Sequence, residues 1–405
     1  MSVFLQLTPH DPLVARDSRP FGAGQGNRMR GMSWPLPSVL AGSFRTALVK
    51  SIDRLDFSDT MPQRLMQVAV AGAFPVRMHN GSPQELYLPA PADAVAEPHL
   101  NGPGIKQVHR ITPQEISGGC DLPANALKPV MLPKSQALRD FKPADVPAWW
   151  PVGRYADWLL GRNISFDATF LNNPREERRD HVCLDPDRGA AAEGEIFSTA
   201  GLNLSCLPRF QASEDHGVAS FADRFAEITL AARVDLPPSE SALTIGHDFR
   251  ILHPLGGERR LVHWCHADHQ HIWMCPTAIK TTLPHATHVR MVLATPAIFR
   301  DGWKPGWLNE QLEGTPPGGD VRLRLVGVSN KRWNAVSGWS LAPPRGPKPI
   351  RRMVPAGSVY FFECAEGAAA QLADLWLQSV SDDQQEQRDG FGLALWGTWN
   401  NKEHH

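Results

Sequence analysis

The chain has 405 residues, 42% hydrophobic and 20% charged, with a formal net charge of -1 at pH 7. This is the composition of a soluble globular protein long enough for two domains of ordinary size, and no run approaches the ~20 apolar residues of a membrane-spanning helix. The near-zero total conceals two strongly cationic stretches, so it does not exclude a polyanionic partner, whose affinity follows local phosphate neutralisation.

From the N-terminus, Ser2 to Leu7 reads as a short strand with Val3, Leu5 and Leu7 on one side. The opening residues lack a basic region followed by an apolar core, so a cytoplasmic protein is expected. The first cationic stretch runs from Asp11 to Lys50. There Arg16, Arg19, Arg28, Arg30, Arg45 and Lys50 stand against Asp11 and Asp17, a local charge of +4 around Gly22, Gly24 and Gly26. Pro35 and Pro37 delay the following helix, Ser38 is placed as its N-cap, and Leu40, Phe44 and Leu48 recur at helical spacing, leaving Ser43 and Arg45 toward the other face. A strand, a basic loop and a helix start in this order present free backbone N–H groups to an anion.

From Pro75 to Pro151 turn signals dominate, and the segment reads as an irregular insertion. Trp149, Trp150, Tyr155 and Trp158 then open a short amphipathic helix ending near Gly161, a pattern of packing rather than base stacking. A boundary is expected between Pro208 and Asp223, dividing the chain into residues 1–210 and 211–405. Beyond it Ala226, Ile228, Leu230, Ala232 and Val234 alternate along one strand. Further strands are expected at Leu261 to Cys265, Val289 to Ala294, Val321 to Val328 and Ser358 to Glu363.

The second cationic stretch, Val321 to Arg352, carries Arg322, Arg324, Lys331, Arg332, Arg345, Lys348, Arg351 and Arg352 without an acid, a charge of +8. Arg322 and Arg324 alternate with Val and Leu and so share a solvent face. Trp339, ahead of the Pro-rich basic run, suits either stacking on a base or anchoring the loop. Gly367 to Val380 reads as a helix, followed by Gly390-Phe391-Gly392 and a last strand. Short strands with few helices argue an α+β fold with small antiparallel sheets.

Several chemistries are disfavoured. The GFGLALWG segment has a helix before it and a strand after it, the reverse of a dinucleotide loop, and GAGQGNRMRG lacks the Lys-Ser/Thr ending of a P-loop, so no nucleotide cofactor is expected. Cys120, Cys183, Cys206, Cys265, Cys275 and Cys364 form no CxxC pair and read as reduced thiols. His263, Cys265, His266, His269, His271 and Cys275 could together hold zinc, yet their spacing fits no standard site and a strand with its loop accounts for them. No hydrolase signature occurs; His10 and His109 are conceivable general acids or bases of a metal-free ribonuclease.

An ordered set of blocks carries a resemblance: RDSRPFGAG with WPLPSVLAGSFRTAL, GAFPV with LYLPAPADAV, RRDHVCLDPDRGAAAEGEIF, LGGERR, LATPAIFRDGW, SGW, PAGSVYFFE and GFGLALWG. Together they resemble the RAMP superfamily of type III CRISPR effector complexes, most of all the third subunit of the Cmr (type III-B) complex, with Ser18 where the family commonly has glycine. The resemblance covers nearly the whole chain. It implies two ferredoxin-like (RRM-like) domains with long irregular insertions. It also implies a non-catalytic subunit that holds the 5′ handle of the CRISPR RNA and joins the large polymerase/nuclease-type subunit to the backbone RAMP subunit. The residues it marks are Arg16, Asp17, Arg19, Phe21 and Gly22 in the loop, Ser38, Gly42 and Arg45 in the helix, and Trp339, Gly390 and Gly392. Gly24, Asn27, Arg28, Arg30, Arg351 and Arg352 complete the expected RNA-contacting set. The alternative from the enzyme class is a repeat-processing endoribonuclease of the same superfamily; a protein-only scaffold is the third reading.

Overall fold

The computed structural model describes residues 2–17, 29–52, 60–99, 104–116, 127–132, 141–211, 220–238, 243–340 and 343–399. Strand β1 (Ser2–Pro9) buries Val3, Leu5 and Leu7 as the alternation requires. Helix α1 (Pro37–Ser51) follows, then β2 (Ala69–His79), β3 (Ser82–Pro89), and β4 (Trp149–Pro151) running directly into α2 (Val152–Leu159). A hairpin of β5 (Glu176–Leu184) and β6 (Ala191–Leu202) precedes β7 (Phe225–Asp235), β8 (Arg250–Pro254) and β9 (Leu261–His266). The first sheet takes the order β8-β9-β1-β7-β2-β3-β4, with every neighbour antiparallel. Because β1 and β2 are each antiparallel to β7, they are parallel to one another, and α1 is the crossover of a split βαβ unit.

The second sheet is built on β10 (His288–Leu293), β11 (Leu323–Ser329), β12 (Val359–Glu363) and β13 (Leu393–Thr398), in the order β11-β12-β10-β13, with helix α3 (Gln384–Arg388) just before the last strand. All three pairings are antiparallel. The two sheets repeat one arrangement: β9-β1-β7-β2 and β13-β10-β12-β11 both set the fourth strand beside the first, the first beside the third, and the third beside the second.

Two apolar clusters hold these layers. On one side of the first sheet, Leu40, Phe44 and Leu48 of α1 pack with Leu5, Leu230 and Trp264. The other cluster draws on both sheets, joining Phe74, Leu86, Trp150 and Trp158 to Met291, Phe361 and Trp396. Strand β7 therefore buries Thr229 and Ala231 as well as Leu230 and Ala232. Within the larger cluster Arg290 of β10 is fully buried. It donates to the Asp93 carboxylate and the Trp158 carbonyl, while Trp158 Nε1 donates to Asp93 Oδ1 at 2.8 Å. Arg110 lies over the Trp158 ring at 3.8 Å, and burial, then the charge of Arg290, pushes its guanidinium down to about 9. No helix among the described residues is long and apolar enough to cross a membrane.

Four expectations are corrected. The boundary placed between residues 210 and 211 falls inside the first sheet, because β7 pairs with both β1 and β2, β9 pairs with β1, and β8 pairs with β9; the change of sheet comes between His266 and His288. Pro75 to Pro151 is not an irregular insertion throughout, since β2 and β3 form a hairpin through Asn80 and Gly81, both at positive φ, and Ala94–Pro98 pairs with Ile105–Arg110. Helix α1 starts at Pro37 with Leu36 in the cap position, so Ser38 lies inside the first turn and its hydroxyl caps nothing. Gly367 to Val380 is a short 3₁₀ turn, Ala368–Ala373, and not an α-helix. Leu372, Leu375, Trp376 and Leu377 are all buried, and no single face of a helix can point four side chains so spaced into one core.

Candidate nucleic-acid interface

Residues 13–17 and 29–32 form the two arms of a stem held together by backbone hydrogen bonds. Met32 N–H donates to the Ala15 carbonyl at 2.9 Å and Asp17 N–H to the Arg30 carbonyl at 3.2 Å. Its base is anchored on both sides: Leu13 exchanges bonds of 2.9 and 2.8 Å with Leu202 of β6, and the Val14 carbonyl accepts from Gly257 N–H at 2.8 Å. The turn Leu255 to Arg260 can approach this closely only through glycine, since a Cβ on Gly256, at φ +81, would lie 2.6 Å from the Val14 carbonyl. Arg16 and Arg30 are exposed on the two arms, and among the described residues neither meets a carboxylate in ion-pair range. Arg19, Phe21, Gly22, Gly24, Asn27 and Arg28 lie outside the described residues.

A cleft of about 590 Å³ opens beside this stem, walled by Arg16, Asp17, Val39, Gly256, Gly257 and Trp339 among others. Trp339 is 64% exposed at its rim, which removes the reading of this residue as an anchor to the core. The start of α1 forms another wall. No side chain caps it, no acid occupies its first turn, Pro37 has no N–H, and the Val39 and Leu40 amides return to the Leu36 carbonyl, leaving the Ser38 amide for an outside acceptor. One turn further on, Gly42 is exposed and a Cβ there would meet nothing within 4 Å, so a partner can come close to this face of the helix.

Other expected contacts do something different. Arg45 is buried: its Nη1 donates to Asp389 Oδ1 at 2.5 Å, and Nε and Nη2 donate to the Val68 carbonyl at 3.1 and 2.7 Å. It cannot grip phosphate without taking from Asp389 its nearest counter-charge in the interior. Gly390 and Gly392, at φ +86 and +70, serve packing within the chain: a Cβ on Gly390 would sit 2.4 Å from the Val70 carbonyl, and one on Gly392 2.5 Å from Ser381 Oγ. Between them Phe391 enters a small cluster with Leu36, Ile298, Val336 and Met353, which seats the cap of α1 against the second half of the chain.

The second cationic stretch also divides. Residues Asn334–Val336 and Arg351–Met353 form a two-stranded ribbon in which Val336 faces Arg351 and Ala335 faces Arg352. Val336 and Met353 turn into the core; Arg351, partnered with buried Glu386, goes with them. Arg352 stays exposed on the opposite side. Arg322 and Arg324 do share the solvent face, but each meets an acid from elsewhere in the chain, Glu313 and Glu363 respectively. Lys348 Nζ comes within 4.0 Å of Asp389.

Of the conceivable ribonuclease residues, His109 is 4% exposed and its Nε2 lies 2.7 Å from Glu97, while His10 sets its ring edge-on to His263 with centroids 6.4 Å apart. Lys106, then His109, holds the Glu97 carboxyl below its usual range. The His/Cys segment is spread over β9 and the turn after it, and His269 is buried with Nε2 3.3 Å from the Leu5 carbonyl. Among the described residues no three His, Cys, Asp or Glu side chains converge as metal ligands.

The fold is similar to a chain of the type III-B Cmr-beta complex bound to cognate target RNA, with 12% identity over 97% of this chain and 96% of that one and a TM-score of 0.47. A chain of the same kind of complex with target RNA and AMPPnP gives 12% identity over 88% and 86% with a TM-score of 0.45. The type III-A Csm3-Csm4 subcomplex gives 9% over 99% and 100% with a TM-score of 0.38. No curated protein sequence matches this chain. The profile of the family described as CRISPR-associated protein (Cas_Cmr3) matches residues 5–399, a span that includes both sheets and every wall of the cleft. The chain therefore belongs to the Cas_Cmr3 family of CRISPR-associated proteins, a type III-B (Cmr) protein.

Proposed function

We propose that this chain is a non-catalytic RNA-binding subunit of a type III-B effector complex, and that it seats the 5′ handle of the CRISPR RNA in the cleft beside the loop stem. One observation carries the reading. Exposed Arg16, the uncapped start of α1 and exposed Trp339, which lie far apart in sequence, line the same cleft. An arginine for phosphate, a helix start for a second phosphate, and a ring for a base are the elements by which a single strand is held.

The recurrent strand order of the two sheets supports reading each as a ferredoxin-like domain, and the family membership supports docking to the large polymerase/nuclease-type subunit and to the backbone RAMP subunit. The ribonuclease alternative is weakened by the burial of His109 and by the Glu97 carboxylate that occupies its Nε2 at 2.7 Å.

The test is to express the chain with its partner subunits and sequence the RNA that co-purifies. RNAs sharing one fixed 5′ sequence are expected with the native chain, and their loss is expected on Arg16→Glu combined with Trp339→Ala. RNAs with random 5′ ends, retained by that variant, would overturn the reading. Site-specific cutting of repeat RNA by the purified chain would return it to the enzyme class.

A further inference from the structure

Next to the cleft, the ribbon of Asn334–Val336 with Arg351–Met353 presents an outward face that no family block marks. Trp333, immediately before its first strand, is 47% exposed. Arg352 pairs across the ribbon with Ala335, two residues from Trp333, and so falls on the same side as that ring. Its guanidinium lies over the indole, 5.0 Å from the centroid. One face of the ring is thereby backed by a cation and the indole stays half in solvent. Lys331 and Arg332 flank it, both exposed, and among the described residues neither these two nor Arg352 meets a carboxylate. The contrast with the ribbon's inward side is sharp, for there Arg351 is neutralised by Glu386.

The geometry points to Trp333 as a base-stacking platform for single-stranded RNA, backed by Arg352 and flanked by Lys331 and Arg332, which receives a nucleotide adjoining the segment held in the cleft. This rests on the reading of the cleft as an RNA site and extends it. Trp333 and Trp339 are six positions apart, so their Cα atoms lie within about 22 Å of one another even along a fully extended chain. A protein partner would need acidic groups to answer three unpaired cations around one ring; a phosphate backbone supplies that charge with the base it carries. Stacking on a ring whose far face bears a guanidinium gains from the cation on both counts, by polarising the indole and by neutralising phosphate.

The experiment uses the full chain and synthetic RNAs: the 5′ repeat-derived handle alone, and the same handle extended one nucleotide at a time at either end. With the native chain, affinity rises when the extension reaches Trp333. Trp333→Ala is expected to abolish that increment, a loss of about 5- to 100-fold for the longer RNA, with handle-only binding unchanged, and Trp333→Phe is expected to keep most of it. Arg352→Ala is expected to lower the same increment and to make the remaining affinity less dependent on salt. If the native chain binds the handle but gains nothing from any extension, the stacking site is wrong and the cleft reading stands. If it binds neither RNA, both fail. If Trp333→Ala leaves RNA binding intact but releases a partner subunit from the assembled complex, the ring is a protein anchor and the proposal is overturned.

Discussion

Arg45 and Asp389 meet at 2.5 Å although 344 positions separate them, and the contact fastens the first helix of the chain to the loop before its last strand. The pair is nearly enclosed, at 8% and 5% exposure, and Gln385 also donates to the Asp389 carboxylate, at 2.9 Å. Removing one partner leaves the other charge in a poorly solvated interior without its nearest counter-charge, Lys348 standing 4.0 Å from Asp389. Arg45→Ala or Asp389→Ala is therefore expected to destabilise the chain by about 3–5 kcal/mol, whereas Arg45→Met combined with Asp389→Leu recovers much of the loss. Denaturant unfolding of the single and double variants checks this; a loss in the double variant equal to the sum of the two single losses would mean that the side chains act independently.

Much of this architecture is legible in the sequence, and the illegible parts have physical causes. β1 shows itself because alternate residues are buried, whereas β7 alternates in sequence although Ile228 to Ala232 are buried on both faces. The β5–β6 hairpin shows nothing, because most residues of β5 are exposed on both faces and no period arises where nothing is buried. Asn80-Gly81 is a readable hairpin turn, obscured by the density of proline after it. Counting charge misleads more seriously. Local sequence gives Arg45 and Arg351 as free cations, but their partners Asp389 and Glu386 come from the far end of the chain. Trp333 goes unnoticed for the converse reason: what makes it a platform is Arg352 across the ribbon, a neighbour only in the folded chain.

The cleft residues separate binding from stability. Trp339 is 64% exposed, so Trp339→Ala is expected to shift unfolding by no more than ~0.5 kcal/mol. Its affinity for handle RNA should nevertheless fall by about tenfold, the loss of one base–ring stack. Arg16→Ala should act differently, weakening binding across sequences and lowering the slope of log K against log salt by ~0.7, as expected for one phosphate contact on a single strand. Fluorescence anisotropy at several salt concentrations reads both; an Arg16→Ala variant with the native slope would remove that residue from the interface.

Two buried histidines give the chain a defined response to acid. Burial, then the charge of Lys50, lowers the affinity of His253 for a proton, and burial does the same for His269 against the Leu5 carbonyl. In the unfolded chain both rings take up a proton near pH 6.5. As pH falls through that value the unfolded state binds more protons than the folded state, so the contribution of these two rings is level above about pH 7 and stability declines as pH falls below it. Thermal unfolding across this window should show the decline, and the double variant His253→Gln with His269→Gln should flatten it. A double variant with the native slope would assign the acid response to other groups.

Gly42 and Gly390 look alike in sequence and predict opposite outcomes. A Cβ on Gly390 must adopt φ +86, which costs an L-residue about 1–2 kcal/mol. It must also enter the 2.4 Å gap to the Val70 carbonyl, adding ~1–3 kcal/mol. Gly390→Ala is thus expected to lower the unfolding midpoint. It should also weaken RNA binding indirectly, because the same loop carries Phe391 into the cluster that holds Leu36 at the start of α1. At Gly42 the added methyl meets nothing in the chain, and replacing a mid-helix glycine by alanine favours the helix by up to ~1 kcal/mol. Gly42→Ala should raise the midpoint. If RNA or a partner subunit lies along that face, Gly42→Trp will block assembly while keeping the fold. Retention of both RNA and partners by Gly42→Trp would show that this side of α1 faces solvent in the complex.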